Sequence, residues 1–163
     1  MVFTIVLPVY GHSPWLNEAV ESVINQENEN WKLVIADDGS DDQAQKWLRT
    51  RLSKLQDERI KWIKRPANLG LFRNLNQAIE GSATDWILLL CSDDKLHLNA
   101  ITLLEQLHQS WPRTGLILSS FDSMNADGSL RQPDSSHHHD QIRPSTGLVA
   151  PNQMVPELLH QVA

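Results

Sequence analysis

The sequence has little cysteine, little basic charge and no long apolar stretch, and each shortage excludes a class of protein. Its 163 residues include one cysteine, Cys91, so an intrachain disulfide is excluded and a reducing compartment such as the cytoplasm is predicted. The formal net charge is −6, and because no basic stripe offsets it, we expect no nucleic-acid partner. The longest apolar stretch, residues 87–91, is too short to span a bilayer, so we expect no transmembrane segment.

The motifs of several common sites are missing as well. The chain has no G-x-G-x-x-G, no Walker loop and no G-x-S-x-G, so Rossmann dinucleotide, P-loop and serine-hydrolase sites lack their signatures. The composition, with 40% hydrophobic and 21% charged residues, is typical of a globular protein. The length is sufficient for one domain with a real core.

Apolar segments of strand type alternate with segments of helical periodicity. We predict strands at residues 3–9, 33–36, 59–63, 86–90 and 116–121. Helices are predicted between them, with Ser13 as N-cap of the first and a capping-box pair, Ser40 and Gln43, at the start of the second. Such alternation indicates an α/β fold with a mostly parallel central sheet flanked by helices. We also predict a hairpin turn at residues 125–128, a polar loop at 132–145 and a helix at 156–162.

Two short acidic clusters follow two of these strands and are the most informative feature of the chain. One is Asp37–Asp42 and the other contains Asp93 and Asp94. Ligands of open α/β sheets bind outside the carboxyl ends of the strands, which is where both clusters are predicted to lie. Paired aspartates there suit a divalent cation with oxygen ligands, the usual companion of a diphosphate. The alternative is that each cluster is an ordinary turn or helix cap.

A third segment, residues 68–74, combines a glycine with a basic residue at a predicted helix start. Gly70 would permit close approach of the backbone, and Arg73 could pair with a phosphate or a base edge. The alternative for Arg73 is an exposed helix residue without a ligand. Three adjacent histidines, residues 137–139, lack the spacing of a metal site and are interpreted as surface residues.

Four segments together resemble the family 2 inverting glycosyltransferases of GT-A fold, over roughly residues 3–130. They are residues 5–10, residues 33–40, residues 68–70 with Arg73 and Asn74, and residues 88–94. The resemblance implies a nucleotide-diphospho-sugar transferase fold. It also implies an enzyme that transfers a sugar, with inversion, from a nucleotide-diphospho-sugar to a glycan or lipid-linked acceptor in polysaccharide assembly.

The resemblance also implies roles for individual residues. Pro8 and Tyr10 would line the base pocket of a UDP-sugar, Asp38 would hydrogen-bond the base, and Arg73 would lie near the nucleotide. Asp93 and Asp94 would bind the ribose and a divalent metal, Mn²⁺ or Mg²⁺. The metal would neutralise the diphosphate as the sugar departs.

The sequence departs from the family pattern in two ways. Cys91 stands where the family's acidic motif often begins with an aspartate, so a ribose contact would be missing or shifted. The family's general base lies in the acceptor region, which we expect to begin beyond this chain, so no catalytic residue is nominated. We therefore expect weak donor binding and poor transfer by this chain, and apolar surface that favours homo-oligomers.

The predicted domain organisation follows from the same resemblance. We expect a single GT-A-like domain over residues 1–163, truncated before the acceptor region. Its nucleotide-sugar-binding core would cover residues 1–121, and the hairpin, polar loop and partial helix would cover residues 122–163. We expect a cytoplasmic location, with peripheral attachment at the inner membrane face as an option.

Two other functions stay open. A nucleotidyltransferase uses a similar sheet and metal, but it usually has a basic glycine-rich loop after the first strand, and residues 10–14 contain no arginine or lysine. A non-catalytic nucleotide-sugar-binding fragment is the second alternative. Turnover would separate it from an enzyme.

Overall fold

The computed structural model describes residues 1–119, 122–125, 127 and 129. It divides into two compact units, Met1–Ser110 and Trp111–Ala163. Within the described residues, all helices and all strands of the sheet belong to the first unit. They are β1 (Phe3–Val9), α1 (Leu16–Ile24), β2 (Trp31–Asp37), α2 (Asp42–Leu55), β3 (Ile60–Lys64), α3 (Leu71–Glu80), β4 (Trp86–Leu89) and α4 (Ala100–Ser110).

The four strands form one parallel sheet in the order β3-β2-β1-β4. Strands β2 and β3 are added in turn on one side of β1, and β4 is then added on the other side. The strand order therefore reverses at β1, between β1 and β4. In the register of the sheet, Val9 lies opposite Asp37, and Val6 lies opposite Leu89. The ends of β1, β2 and β4 therefore meet at one carboxyl edge, and the predicted α/β fold is confirmed.

Side chains of β1 and β2 are buried on both faces of the sheet, which explains their nearly continuous apolar sequence. One face packs against α1, α2 and α4 through fully buried side chains that include Ile5, Leu7, Leu33, Ile35, Leu16, Leu48 and Ile101. The opposite face packs against α3, where Leu75 and Ala78 contact Val6, Val34 and Ala36. The sheet is thus flanked by helices on both faces, as predicted.

Pro8 interrupts the pairing between β1 and β4. Val9 accepts a hydrogen bond from Asp38 on the β2 side, and Val6 accepts one from Leu90 on the β4 side. Since the amides of alternate residues point to opposite neighbours, the Pro8 nitrogen faces β4, and it has no hydrogen to donate. The ladder between the two strands accordingly ends at the pair Val6 and Leu89.

Both predicted helix caps are wrong. Helix α1 begins at Leu16, and the Ser13 hydroxyl accepts a hydrogen bond from the Trp15 amide (3.2 Å) in a turn that precedes the helix. The cap of α2 is Asp41, whose carboxylate accepts from the Ala44 amide at 2.9 Å. Ser40 precedes this cap, and its hydroxyl accepts instead from the Gly11 amide, just after the end of β1 (3.0 Å).

The described part of the second unit contains less regular structure than predicted. Residues 116–119 are irregular rather than a strand, and Leu116 and Leu118 are exposed with no partner strand among the described residues. The Asn125 amide donates to the Ser129 carbonyl (2.9 Å), so these two described residues at the predicted hairpin turn are hydrogen-bonded to each other. The polar loop and the last helix, residues 132–145 and 156–162, lie outside the described residues, as do residues 120 and 121. No helix in the described part of the chain is long and apolar enough to cross a membrane.

The cap assignment predicts a difference between two adjacent aspartates. Asp41→Ala should lower the free energy of unfolding by about 1 kcal/mol, because the Ala44 amide loses its acceptor. Asp42→Ala should cost only about 0.3 kcal/mol, because it removes a favourable charge from the first turn and no cap. Urea unfolding of both variants measures the difference, and equal losses would contradict the assignment.

Candidate functional site

The end of β2 carries three buried polar side chains that hold the neighbouring loops. Asp37, Asp38 and Ser40 are 0%, 4% and 5% exposed. Buried carboxylates must be hydrogen-bonded to be tolerated. Their partners belong to the ends of β1 and β3 and to the loop before α3. We call these three residues and Gly39 the β2 hub.

Asp37 fixes the turn of the hub itself. One carboxylate oxygen accepts from the Ser40 amide (2.9 Å), and the other accepts from the Trp62 indole nitrogen in β3 (3.3 Å). Its carbonyl oxygen also accepts from the Arg65 amide at 2.8 Å. Asp37 therefore ties the turn after β2 to the end of β3 and has no carboxylate oxygen without a partner.

Asp38 joins the end of β1 to the loop that leads into α3. Its amide donates to the Val9 carbonyl (2.8 Å). Its two carboxylate oxygens accept from the amides of Leu69 (2.8 Å) and Gly70 (3.0 Å). Hydrogen bonds from backbone amides to a charged acceptor are among the stronger ones in proteins. The loop at residues 68–70 is thus positioned by a carboxylate of the hub.

Gly39 allows this loop to pack directly on the hub. Its φ is +74°, and a Cβ there would lie 2.7 Å from the Ala67 carbonyl carbon and 2.8 Å from the Asn68 nitrogen. Those atoms are backbone and cannot move aside cheaply. A side chain at this position would push the loop at residues 67–70 away from β2.

The first turn of α3 is attached to β2 by a buried amide side chain that the sequence analysis did not assign. Asn74 donates from Nδ2 to the Ala36 carbonyl (2.7 Å) and accepts at Oδ1 from the Arg65 Nε (3.2 Å). A signal for it exists in the sequence. Residues 74, 75 and 78 have the spacing of a buried helix stripe, and Asn74 is the polar member of that stripe.

The other predicted residues on this side of the edge differ in exposure. Pro8 is half-buried in β1 opposite Ala36. Tyr10 follows β1 directly, and 69% of its surface is exposed. Arg73 is exposed on α3, one residue before Asn74. These side chains are therefore more accessible to a ligand than the carboxylates of the hub are.

The second acidic cluster lies beyond β4, on the other side of β1. Cys91, Asp93 and Asp94 are exposed, and the Asp94 amide donates to the Cys91 carbonyl (3.2 Å) in a tight turn. One ligand atom from each of the three side chains lies within 4.8 Å of the others. Two carboxylate oxygens fit a hard divalent cation, while the thiol is a softer donor. Cys91, Asp93 and Asp94 are the candidate metal group.

The surroundings of Cys91 keep its thiol protonated. Partial shielding of the sulfur from solvent raises the pKa of Cys91, and the negative charges of Asp94 and Asp93 raise that pKa further. At neutral pH the side chain is therefore a neutral thiol.

The structure therefore brings the two acidic clusters to the same edge of the sheet, as predicted, but gives them different environments. Asp38 and Asp94 follow β2 and β4, the two neighbours of β1. The group of possible metal ligands contains residues of the second cluster and none of the first. A separate depression of about 300 Å³ lies at the opposite edge, against Leu52 and Ile60, and contacts neither cluster.

The parallel sheet and the solved structures that it resembles define the fold, which is the GT-A fold. The family model for glycosyl transferase family 2 matches residues 4–152. The chain belongs to this family, so the resemblance seen in the motifs is confirmed.

Individual similarities agree with the family. The putative teichuronic acid biosynthesis glycosyltransferase TuaG of Bacillus subtilis is 27% identical to this chain. The match covers 86% of this chain and 56% of TuaG. The crystal structure of S. aureus TarS 1–349 in complex with UDP has a TM-score of 0.61 at 18% identity, and the match covers 79% of this chain and 43% of that chain. A mannosyltransferase from Pyrobaculum calidifontis, in complex with GDP-Man and Mn²⁺, has a TM-score of 0.55 at 18% identity. The match covers 62% of this chain and 30% of the mannosyltransferase chain.

The chain is shorter than these proteins. It spans between 14% and 56% of the length of the curated relatives that it matches.

Two glycines with similar backbone angles test the packing of the hub. Gly39→Ala should lower the free energy of unfolding by at least about 2 kcal/mol, because an unfavourable φ is combined with a clash against backbone. Gly11→Ala is the matched control, since its φ is +75° and nothing lies within 4 Å of the added Cβ. We expect it to cost about 1 kcal/mol. Urea unfolding measures both, and an equal loss would show that the close approach is unimportant.

The electrostatics of the second cluster can be read from the reactivity of the single cysteine. Because a raised pKa reduces the thiolate fraction at a given pH, alkylation of Cys91 by iodoacetamide should be slow at neutral pH and rise late in a pH profile. Asp94→Asn removes a negative charge, so the pKa should fall and the reaction at pH ~8 should become faster by a factor on the order of two to five. Asp85→Asn is the control, and an equal acceleration there would contradict a local effect.

Proposed function

We propose that this chain binds a nucleotide-diphospho-sugar, a UDP-sugar in the first instance, with a divalent cation. We further propose that it is the donor-binding part of an enzyme that transfers the sugar with inversion. The observation that carries the proposal is the difference between the two acidic clusters beside β1. In one, the buried Asp37 and Asp38 accept hydrogen bonds that fix the neighbouring loops, and the other is exposed with its ligand atoms within 4.8 Å of each other.

The known relatives support the choice of ligand. TarS has been crystallised in complex with UDP and in complex with UDP-GlcNAc, and it shares the fold of this chain. The switch in strand order between β1 and β4 is also where open α/β sheets bind ligands. Both observations favour a nucleoside diphosphate at this edge.

The nucleotide would lie on the side of β1 that faces the hub. Pro8 and the exposed Tyr10 would contact the base, and Arg73 would pair with the nucleotide. Asp38 would accept a hydrogen bond from the base. Each of its oxygens already accepts one amide, but a carboxylate offers about four acceptor positions, so about two remain available.

The diphosphate would lie toward the second cluster. Asp93 would contact the ribose, and Asp93 and Asp94 would hold Mn²⁺ or Mg²⁺. A bound divalent cation would offset the charge of the diphosphate and the further charge that develops as the sugar leaves. In its absence the diphosphate would face two carboxylates directly, so binding should depend on the cation.

Inversion requires a carboxylate that takes the proton of the acceptor hydroxyl, on the side of the sugar opposite the diphosphate. None of the carboxylates in the described residues is assigned this role. A second candidate function is therefore binding without catalysis. Release of UDP from a UDP-sugar, measured with and without an acceptor saccharide, separates the two functions.

For the acceptor and the cellular location, the proposal names a class of molecule and a compartment. A glycan or lipid-linked acceptor agrees with a relative named for teichuronic acid biosynthesis. A single cysteine agrees with action in the cytoplasm or at the inner membrane face. Exposed apolar side chains on α3, Leu71 and Phe72, support self-association.

Calorimetric titration with UDP tests the nucleotide and metal sites together. Binding should be readily measured in Mn²⁺ and fall at least about tenfold in EDTA. Asp94→Asn should remove most of this metal dependence. Asp38→Ala should weaken binding in both conditions, because the loop amides of Leu69 and Gly70 lose their acceptor and the base loses its partner.

Asp85→Asn, an exposed carboxylate just before β4, is the control and should bind as the wild type does. Wild-type affinity in both Asp38→Ala and Asp94→Asn would rule out the assigned site. Equal binding with and without Mn²⁺ would rule out the metal. Thermal unfolding of Asp38→Ala shows whether the variant is folded before its affinity is interpreted.

A further inference from the structure

We propose that Asn74 is a positioning residue for nucleotide binding, which acts by holding the first turn of α3 and therefore Arg73. The inference rests on the proposed function, because it concerns the same nucleotide site. It assigns a role to a residue that would otherwise be regarded as part of the helix core.

Asn74 joins helix α3 to the sheet by hydrogen bonds. The residue is 1% exposed, and its side chain bonds to β2 and to the segment after β3 at the same time. Its amide donates to the Gly70 carbonyl (3.0 Å), which closes the first turn of α3. One residue therefore connects the carboxyl end of β2, Arg65 and the helix start.

A buried polar side chain at this position costs free energy of folding. It is expected only where it does something that an apolar side chain cannot do. The rest of the buried stripe of α3 consists of Leu75 and Ala78, which pack against the sheet without directional bonds. Apolar contacts allow a helix to slide by fractions of an ångström, whereas a hydrogen bond of 2.7 Å fixes one point of the helix on the sheet. The fixed point is the turn that carries Arg73.

Arg73 depends on this attachment because its side chain has no hydrogen bond within the described part of the chain. Its position is therefore set by its backbone. The backbone before it is held by Asp38 through Leu69 and Gly70, and the backbone after it is held by Asn74. Arg73 is thus fixed on both sides by polar contacts to the end of β2.

A double-mutant cycle on UDP affinity tests this inference in the whole 163-residue chain. With Mn²⁺ present, Asn74→Ala should weaken UDP binding roughly tenfold, because Arg73 loses its fixed position. In an Arg73→Ala background the same change should have almost no further effect, since the group that Asn74 positions is gone. Asn76→Ala, an exposed amide on the same helix, should leave the affinity unchanged.

Non-additivity is the result that a general loss of stability would not produce. If Asn74→Ala weakens binding equally with and without Arg73, or not at all, the inference is overturned. If Asn74→Ala does not unfold cooperatively, Arg65→Ala takes its place in the cycle, because it removes the donor to Asn74 Oδ1 and leaves the helix packing in place. Additivity in that cycle overturns the inference in the same way.

The outcome also separates this inference from the proposed function. If the wild-type chain does not bind UDP, or Arg73→Ala binds it as tightly as the wild type, the proposed nucleotide site is wrong. If the wild type binds UDP and Arg73→Ala weakens it, but the cycle is additive, only the role of Asn74 is wrong.

Discussion

The structure depends on the hydrogen bonds by which backbone amides satisfy two buried carboxylates at the end of β2. Asp37 and Asp38 are almost fully removed from water, so each oxygen needs a donor from the protein. The donors come from the turn after β2, from β3 and from the loop before α3. Meeting this need brings together the segments around the carboxyl edge. The hub is therefore a cause of the site's shape as well as a part of it.

The position of each acidic cluster in the sheet explains why two similar sequences behave differently. The first follows β2, which has strands on both sides, and neighbouring segments surround its side chains. The second follows β4, which is at the edge of the sheet among the described residues, and its side chains remain exposed. The first cluster consequently organises protein, and the second is free to bind a ligand. Cys91 adds a neutral thiol to the exposed group.

The sequence was sufficient for the parts of the fold that local patterns determine. Continuous apolar runs predict β1 and β2 because both faces of these strands are covered. The cap of α2 could not be predicted, because the choice between Ser40 and Asp41 depends on Gly11, which occupies the Ser40 hydroxyl from a distant loop. Asp38 was predicted as a site residue, but its bonds to the loop amides could not be foreseen. The role of Asn74 in packing was missed because asparagine is usually an exposed residue and its partners, Ala36 and Arg65, lie elsewhere in the sequence.

The contacts of the hub also have a consequence for how the molecule folds. Its long-range side-chain hydrogen bonds join residues 25 to 32 positions apart, such as Trp62 with Asp37 and Gly70 with Asp38. Contacts of this range form only after the intervening chain has been ordered, at a cost in loop-closure entropy. A peptide that contains β2 and its acidic turn alone would have the residues of the hub but none of their distant partners. The carboxyl edge is therefore acquired together with the three strands β1, β2 and β3, as one cooperative step.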